Sequence, residues 1–245
     1  MYTAEALERS GLRPVVRGYE RGAVIFDPGQ PPKRVYFLRG GAVRIYKVYG
    51  LGREFASEIL ADNEVFGLEA MEHVPDKKPV MTGSASTARR GSHMVRRHGA
   101  RALTRCEIAS VSARELAGAL PRESGLAADL LEEAMYGVRR RDAAAELLVH
   151  REVLPRLARA LLSLCETLGI RSGSQVELRM RLSHEQLGQM TGCSREAVSK
   201  AIGELRSAGV AEAGREGVYI KDQEVLAEIA SCGSEGLDSN LAALP

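Results

Sequence analysis

Tryptophan is absent from this 245-residue chain and aromatic residues together make up 4% of it, which argues against an aromatic stacking platform for single-stranded nucleic acid. Also missing is any apolar run near the roughly eighteen residues needed to cross a bilayer, and the opening MYTAEALERSGLRP lacks the apolar core of a signal peptide. A cytoplasmic protein without membrane contact is expected. Cysteine is scarce and scattered: Cys106, Cys165, Cys193 and Cys232 form no CxxC pair, so no zinc site is suggested, and the first three read as buried free thiols. The histidines, His73, His93, His98, His150 and His184, show no ligand spacing, and no metal or other cofactor is expected. There is no Ser/His/Asp constellation, carboxylate pair or glycine-rich phosphate loop to suggest an enzyme. Nor is there a large charge imbalance: 34 Lys and Arg against 32 Asp and Glu leave +2. Any nucleic-acid site must then be a local patch.

What is present is concentrated in residues 182–210, LSHEQLGQMTGCSREAVSKAIGELRSAGV. Ser183 with Gln186 three positions on is a capping-box pattern, predicting a helix from Ser183 to about Met190 that stops at Thr191-Gly192. Ser194 then caps a second helix, in which Val198, Ile202 and Leu205 recur at spacings of four and three and define one buried face. Arg195, Glu196, Ser199 and Lys200 are left on the other. Two short helices about a glycine turn, with charged and hydrogen-bonding side chains exposed on the second, form a helix-turn-helix suited to a DNA major groove. Beyond Gly209, two short apolar stretches flank Gly214-Arg-Glu-Gly217 and predict the hairpin wing of a winged helix, with Arg215 at its tip.

Residues 188–200, GQMTGCSREAVSK, resemble almost residue for residue the recognition motif of the Crp/Fnr family of bacterial transcription regulators. Double-stranded DNA is the partner this resemblance implies, with a TGTGA-like half-site. Arg195 is placed to bond a guanine, Glu196 to accept from a cytosine amino group, and Ser199 and Lys200 to follow one turn along. Lys200 stands where the cAMP receptor protein has arginine, which loosens its expected reading. Ser183, His184, Ser194 and Arg215 are the expected phosphate contacts.

Towards the N-terminus, residues 1–14 read as a short helical leader. From Val15 to Leu60 short apolar runs alternate with Gly and Pro turns, the signature of a β-roll or sandwich. Residues 35–71 resemble the core of the cyclic-nucleotide-binding β-roll of Crp/Fnr proteins. In that family a Gly-Glu pair and, later, an Arg-Ser-Ala type sequence hold the ribose and phosphate. Here Leu68 follows Gly67, Glu69 is one residue out of register, and Arg96 and Arg97 precede His98 without the small residues. This degraded cassette predicts regulation without cAMP; activation by cAMP or another small ligand is the alternative. An insertion at about 74–99 adds basic charge, with eight Lys or Arg and no Asp or Glu from Lys77 through Arg105. It reads as a mobile cationic loop, either a solvated flap or a supplementary contact with DNA phosphates or RNA polymerase.

Helical periodicity begins at Ser112, which with Glu115 predicts a cap. Pro121 breaks that helix and Ser124 opens a longer one. Leu131, Met135, Val138, Ala145 and Leu148 make a narrow seam suited to a coiled-coil partner, with Arg139-Arg-Arg-Asp142 on the solvent side. In the family this is the helix that pairs across the dimer axis. A homodimer would present two recognition helices about 34 Å apart to an inverted repeat.

The expected fold class is therefore α+β: a cyclic-nucleotide-binding-type β-roll (1–122) carrying the basic insertion, a long dimerisation helix (123–150), a winged helix-turn-helix (151–230) and a flexible tail (231–245). The expected function is a sequence-specific regulator that binds DNA as a homodimer, most simply an activator contacting RNA polymerase.

Overall fold

The computed structural model describes residues 4–73, 95–147, 152–172, 175–178, 180, 182–213 and 218–231. The expected Leu148, Arg215, residues 74–94 of the insertion, and the tail beyond Ser231 lie outside them. The chain divides into two compact units, residues 1–43 with 60–137, and residues 44–59 with 138–245.

The first unit opens with helix α1 (Ala4–Arg9) and strands β1 (Val15–Tyr19), β2 (Val24–Phe26) and β3 (Arg34–Gly40). After the segment that belongs to the second unit come β6 (Val65–Phe66), β7 (Gly99–Ala102), β8 (Cys106–Ser112), helix α2 (Ala113–Ala119) and the start of helix α3 (Ser124–Leu147). Sheet order β1-β8-β3-β6 is antiparallel throughout. Its inward residues Val35, Phe37, Ala109 and Val111 are buried with Leu7, Leu12, Leu116 and Leu130 in one core. Alternation along β3 and β8 turns these side chains to one face, while Leu38, Ile108 and Ser110 are buried as well. β2 pairs with β7 through Val24–Arg101 and Phe26–Ala100, with a register shift between them. Ser112 stands at the start of α2 in extended conformation, yet its side chain makes no capping bond; the predicted cap is a backbone boundary only.

In the second unit, β4 (Val43–Tyr49) and β5 (Arg53–Leu60) form a hairpin, and the remainder of α3 continues to Leu147. Helix α4 (Val153–Leu168) follows, amphipathic, with Leu157, Leu161 and Leu164 on its buried face. Strands β9 (Ile170–Ser172) and β10 (Gln175–Leu178) precede α5 (His184–Thr191) and α6 (Arg195–Ser207). Then come β11 (Ala211–Ala213), β12 (Val218–Ile220) and α7 (Gln223–Ser231). The strands form one antiparallel sheet of order β11-β12-β10-β9, and α4 packs against α5, α6 and α7. No helix of the described residues is long and apolar enough to cross a membrane.

Two sequence expectations are corrected. Arg140, assigned to the solvent side of α3, has a side chain only 15% exposed and bonds Glu58 of β5 at 2.9 Å. Its partner Glu58 is distant in sequence, so polarity alone misplaced it. Cys193, read as buried, is half-buried, whereas Cys106 and Cys165 are buried as expected.

Candidate nucleic-acid interface

Helix α5 begins as its sequence dictates. The Gln186 amide donates to Ser183 Oγ at 3.1 Å, and the Ser183 amide donates to Gln186 Oε1 at 2.9 Å. This capping box satisfies two of the amides that a helix start leaves without partners. The helix ends at Gly192, in left-handed conformation at φ 68°. Between the helices the chain turns tightly: the Cys193 amide donates to Gly188 O at 3.0 Å. A Cβ at Gly188 would lie 2.7 Å from the Cys193 carbonyl oxygen, so glycine is the residue that lets turn and helix approach. Buried Thr191 donates to Leu187 O at 2.9 Å and consumes its own hydroxyl in the helix.

Helix α6 is capped by Ser194, whose hydroxyl accepts from the Ala197 amide at 3.1 Å. Val198, Ile202 and Leu205 are buried, and Arg195, Glu196, Ser199 and Lys200 are exposed, the division that the spacing predicted. Glu196 is held below the usual carboxylate range, first by its own backbone amide and then by the Ser194 hydroxyl, so it is an acceptor at neutral pH. Lys200 lies 3.9 Å from Glu204 one turn on, both side chains open to solvent, a weak pairing that leaves the amine available. His184 Nδ1 lies 3.0 Å from Ser199 Oγ. The sequence assigned these two residues to phosphate and base separately; the structure joins them in one hydrogen bond from the start of α5 to the exposed face of α6. The Ser183 and Ser194 hydroxyls accept from amides as caps, and each keeps its own O–H as a donor. β11 and β12 pair antiparallel as the wing, with Ala213 opposite Val218.

In the first unit the residues of the degraded cassette converge. Arg96 is 2% exposed, donates through Nη2 to Arg34 O at 2.7 Å, and bonds Glu69 through Nη1. Its guanidinium carbon lies 3.9 Å from the Phe26 ring centre and 5.4 Å from that of Tyr36. Gly67, at φ 76°, sits against it: a Cβ there would be 3.0 Å from Arg96 Nη1 and 3.2 Å from Arg34 O. Burial pushes the Tyr36 hydroxyl up, partly opposed by Arg96. Arg96 is therefore an ordered interior residue and not part of a solvated loop, contrary to its assignment within the cationic insertion. Its amide donates to Gln30 O and its carbonyl accepts from the Gly29 amide, both at 2.8 Å. Leu68 is half-buried against the core, and Arg97 is exposed, so neither joins the cluster as a polar partner.

On α3 the predicted seam residues Leu131, Met135 and Val138 are 65%, 50% and 43% exposed. Ala145 lies within the helix. Sequence reasoning missed Arg44, buried on β4; a charged residue inside an apolar strand was its available signal.

A capped helix-turn-helix with a paired wing, downstream of a cyclic-nucleotide-binding-type β-rich unit, defines a DNA-binding regulator. Family models agree: that of the Crp-like helix-turn-helix domain matches residues 155–229, and that of the cyclic nucleotide-binding domain matches residues 16–91. The global nitrogen regulator of Nostoc sp. (strain PCC 7120) is 32% identical over 193 residues, 79% of each chain. The CRP-like cAMP-activated global transcriptional regulator of Mycobacterium tuberculosis is 27% identical over 88% of this chain and 87% of its own. Among solved structures, a CRP/FNR-family transcriptional regulator from Thermus thermophilus superposes with a TM-score of 0.68 at 25% identity, covering 89% of this chain and 99% of that one. The chain belongs to the Crp/Fnr family of transcription regulators, and its function is DNA binding rather than catalysis.

Proposed function

We propose that this regulator acts in the cytoplasm as a homodimer on an inverted-repeat promoter site, without requiring cAMP, and activates transcription by contacting RNA polymerase. The observation that carries the reading is the pairing of two exposed faces. The base-reading set Arg195, Glu196, Ser199 and Lys200 is open on a capped α6, and an apolar stripe at spacings of four and three is open on α3. An exposed apolar stripe of this spacing on a long helix fits a second copy of itself better than solvent.

Independence from cAMP is supported by the cassette. Arg96 already has a carboxylate, a carbonyl and an aromatic face as partners, and Leu68 offers no acceptor to a ribose hydroxyl. The competing reading, a regulator switched by cAMP or another small ligand, is favoured by the Mycobacterium relative, which is named as cAMP-activated. Nucleotide-free protein titrated onto a duplex carrying a TGTGA-like inverted repeat is expected to bind it in preference to scrambled duplex. Binding that appears only after adding cAMP reverses the ligand reading.

A further inference from the structure

The turn between α5 and α6 brings one side chain of each helix together. His184, the first residue of α5, is half-buried, and its Nδ1 lies 3.0 Å from the hydroxyl of Ser199, exposed on α6. The backbone is fixed on both sides of this contact. The Ser183 capping box sets where His184 starts its helix, the Ser194 hydroxyl caps α6, and Gly188 lets the turn close against α5. Among the described residues this is the bond that occupies the Ser199 hydroxyl.

A serine hydroxyl is a donor and an acceptor on a free rotor, so by itself it does not tell a base that offers a proton from one that accepts it. In the major groove that difference separates the exocyclic amino groups of adenine and cytosine from the acceptors of guanine and thymine. An imidazole bonded to the hydroxyl removes the ambiguity, because in the neutral ring one nitrogen carries the proton and the other accepts. His184 stands in the first turn of α5, where amides without helical partners draw a phosphate. A phosphate that accepts from Nε2–H leaves Nδ1 as the acceptor of the ring, and Ser199 must then donate to it. What Ser199 turns to the duplex is an acceptor.

From this geometry we infer that His184 is a positioning residue for base reading: it takes the Ser199 hydrogen bond at Nδ1 and makes Ser199 selective for an exocyclic amino group, adenine N6 or cytosine N4. A contact to the DNA backbone and a contact to a base become the two ends of one hydrogen-bonded chain, phosphate to imidazole to hydroxyl to base. A phosphate contact that ended at the imidazole would lower affinity for every duplex equally when lost; this one also sets a preference. The inference rests on the assignment of Ser199 to a base in the proposed function.

The test titrates the full chain against the TGTGA-like inverted repeat, its single-base-pair variants, and copies in which one adenine or cytosine of the half-site lacks its exocyclic amino group. The proteins are wild type, Ser199→Ala, His184→Ala, their double variant and His184→Asn. In wild type one amino deletion, besides any that Glu196 reads, is expected to cost about fivefold in affinity. Ser199→Ala and His184→Ala are each expected to abolish that penalty, and the double variant to do no more. His184→Asn, whose Oδ1 stands where Nδ1 does, is expected to keep it. A His184→Ala loss that is equal on all duplexes, no change in that variant, or loss of the penalty in His184→Asn would overturn the inference. Thermal melts check that each variant is folded at the assay temperature; His184→Phe, which fills similar space without Nδ1, replaces His184→Ala if that variant is not. Ser199→Ala that leaves every base preference and every deletion penalty intact counts against the base-reading assignment itself. Ser199→Ala that relaxes a base preference while every amino-deletion penalty stays counts against the inference alone.

Discussion

Arg195 stands exposed at the first turn of α6, on the face turned away from the buried Val198, Ile202 and Leu205. A guanidinium there matches the two acceptors of guanine better than an amine does. Arg195→Ala is expected to weaken binding by about 1–3 kcal/mol and to relax preference at one base pair; quantitative titration of single-base site variants measures both. Equal loss on specific and random duplex would reassign the residue to a phosphate. The neighbouring pair His184–Ser199 changes how the exposed face is counted, since a hydroxyl already bonded to an imidazole offers the duplex one bond fewer. At the other extreme of exposure, burial pushes the Cys165 thiol up to about 11. A raised thiol stays protonated below that value, so at pH 8 Cys165 is expected to resist alkylation in the folded protein and to react once it is denatured. Site-resolved mass spectrometry after brief iodoacetamide treatment reads the difference.

At the scale of elements, the helices of the reader were legible because their signals are local. A cap serine, a glutamine three residues on and a left-handed glycine are all within ten positions, and the structure uses each for the purpose its chemistry suggests. The strands of the β-rich unit were legible from turn residues, though β1 emerged only as part of an apolar run. Ser112 shows the limit of the same logic: the pattern marks the boundary of α2 correctly, and the hydroxyl makes no cap. The pairings of Arg44, Arg140 and Arg96 were unreadable for one shared reason. Their partners Gln189, Glu58 and Glu69 are distant in sequence, and no periodicity announces which buried cation meets which acceptor. The exposed stripe on α3 gives its own prediction. Met135→Glu places a charge in the middle of it, and on the proposed homodimer reading the variant is expected to sediment as a monomer where the wild type sediments as a dimer, with little change in melting temperature because the side chain is half open already. Unchanged sedimentation would move the dimer contact elsewhere.

Over the whole molecule, the division into units runs through the middle of what the sequence presented as one β-roll. Residues 44–59 belong with the C-terminal unit, although the chain around them belongs with the first. A contiguous reading of domains assigns an element by its neighbours along the chain, whereas the fold assigns it by its neighbours in space. The match of two family models in the expected order and the agreement of the helix-turn-helix with its motif show that the reader and the fold class are legible in short patterns.

The contact between Glu69 and Arg96 has a last consequence, in the arithmetic of competition. A carboxylate tethered to its arginine through the same folded backbone acts as a ligand at an effective concentration of millimolar or above. A dissolved anion at micromolar levels cannot displace it by charge alone; it must bring further groups that Glu69 does not satisfy, or the internal carboxylate keeps the seat. Selectivity at this arginine is thus set by a resident rival, and any molecule that regulates through it must first win against a part of the protein itself.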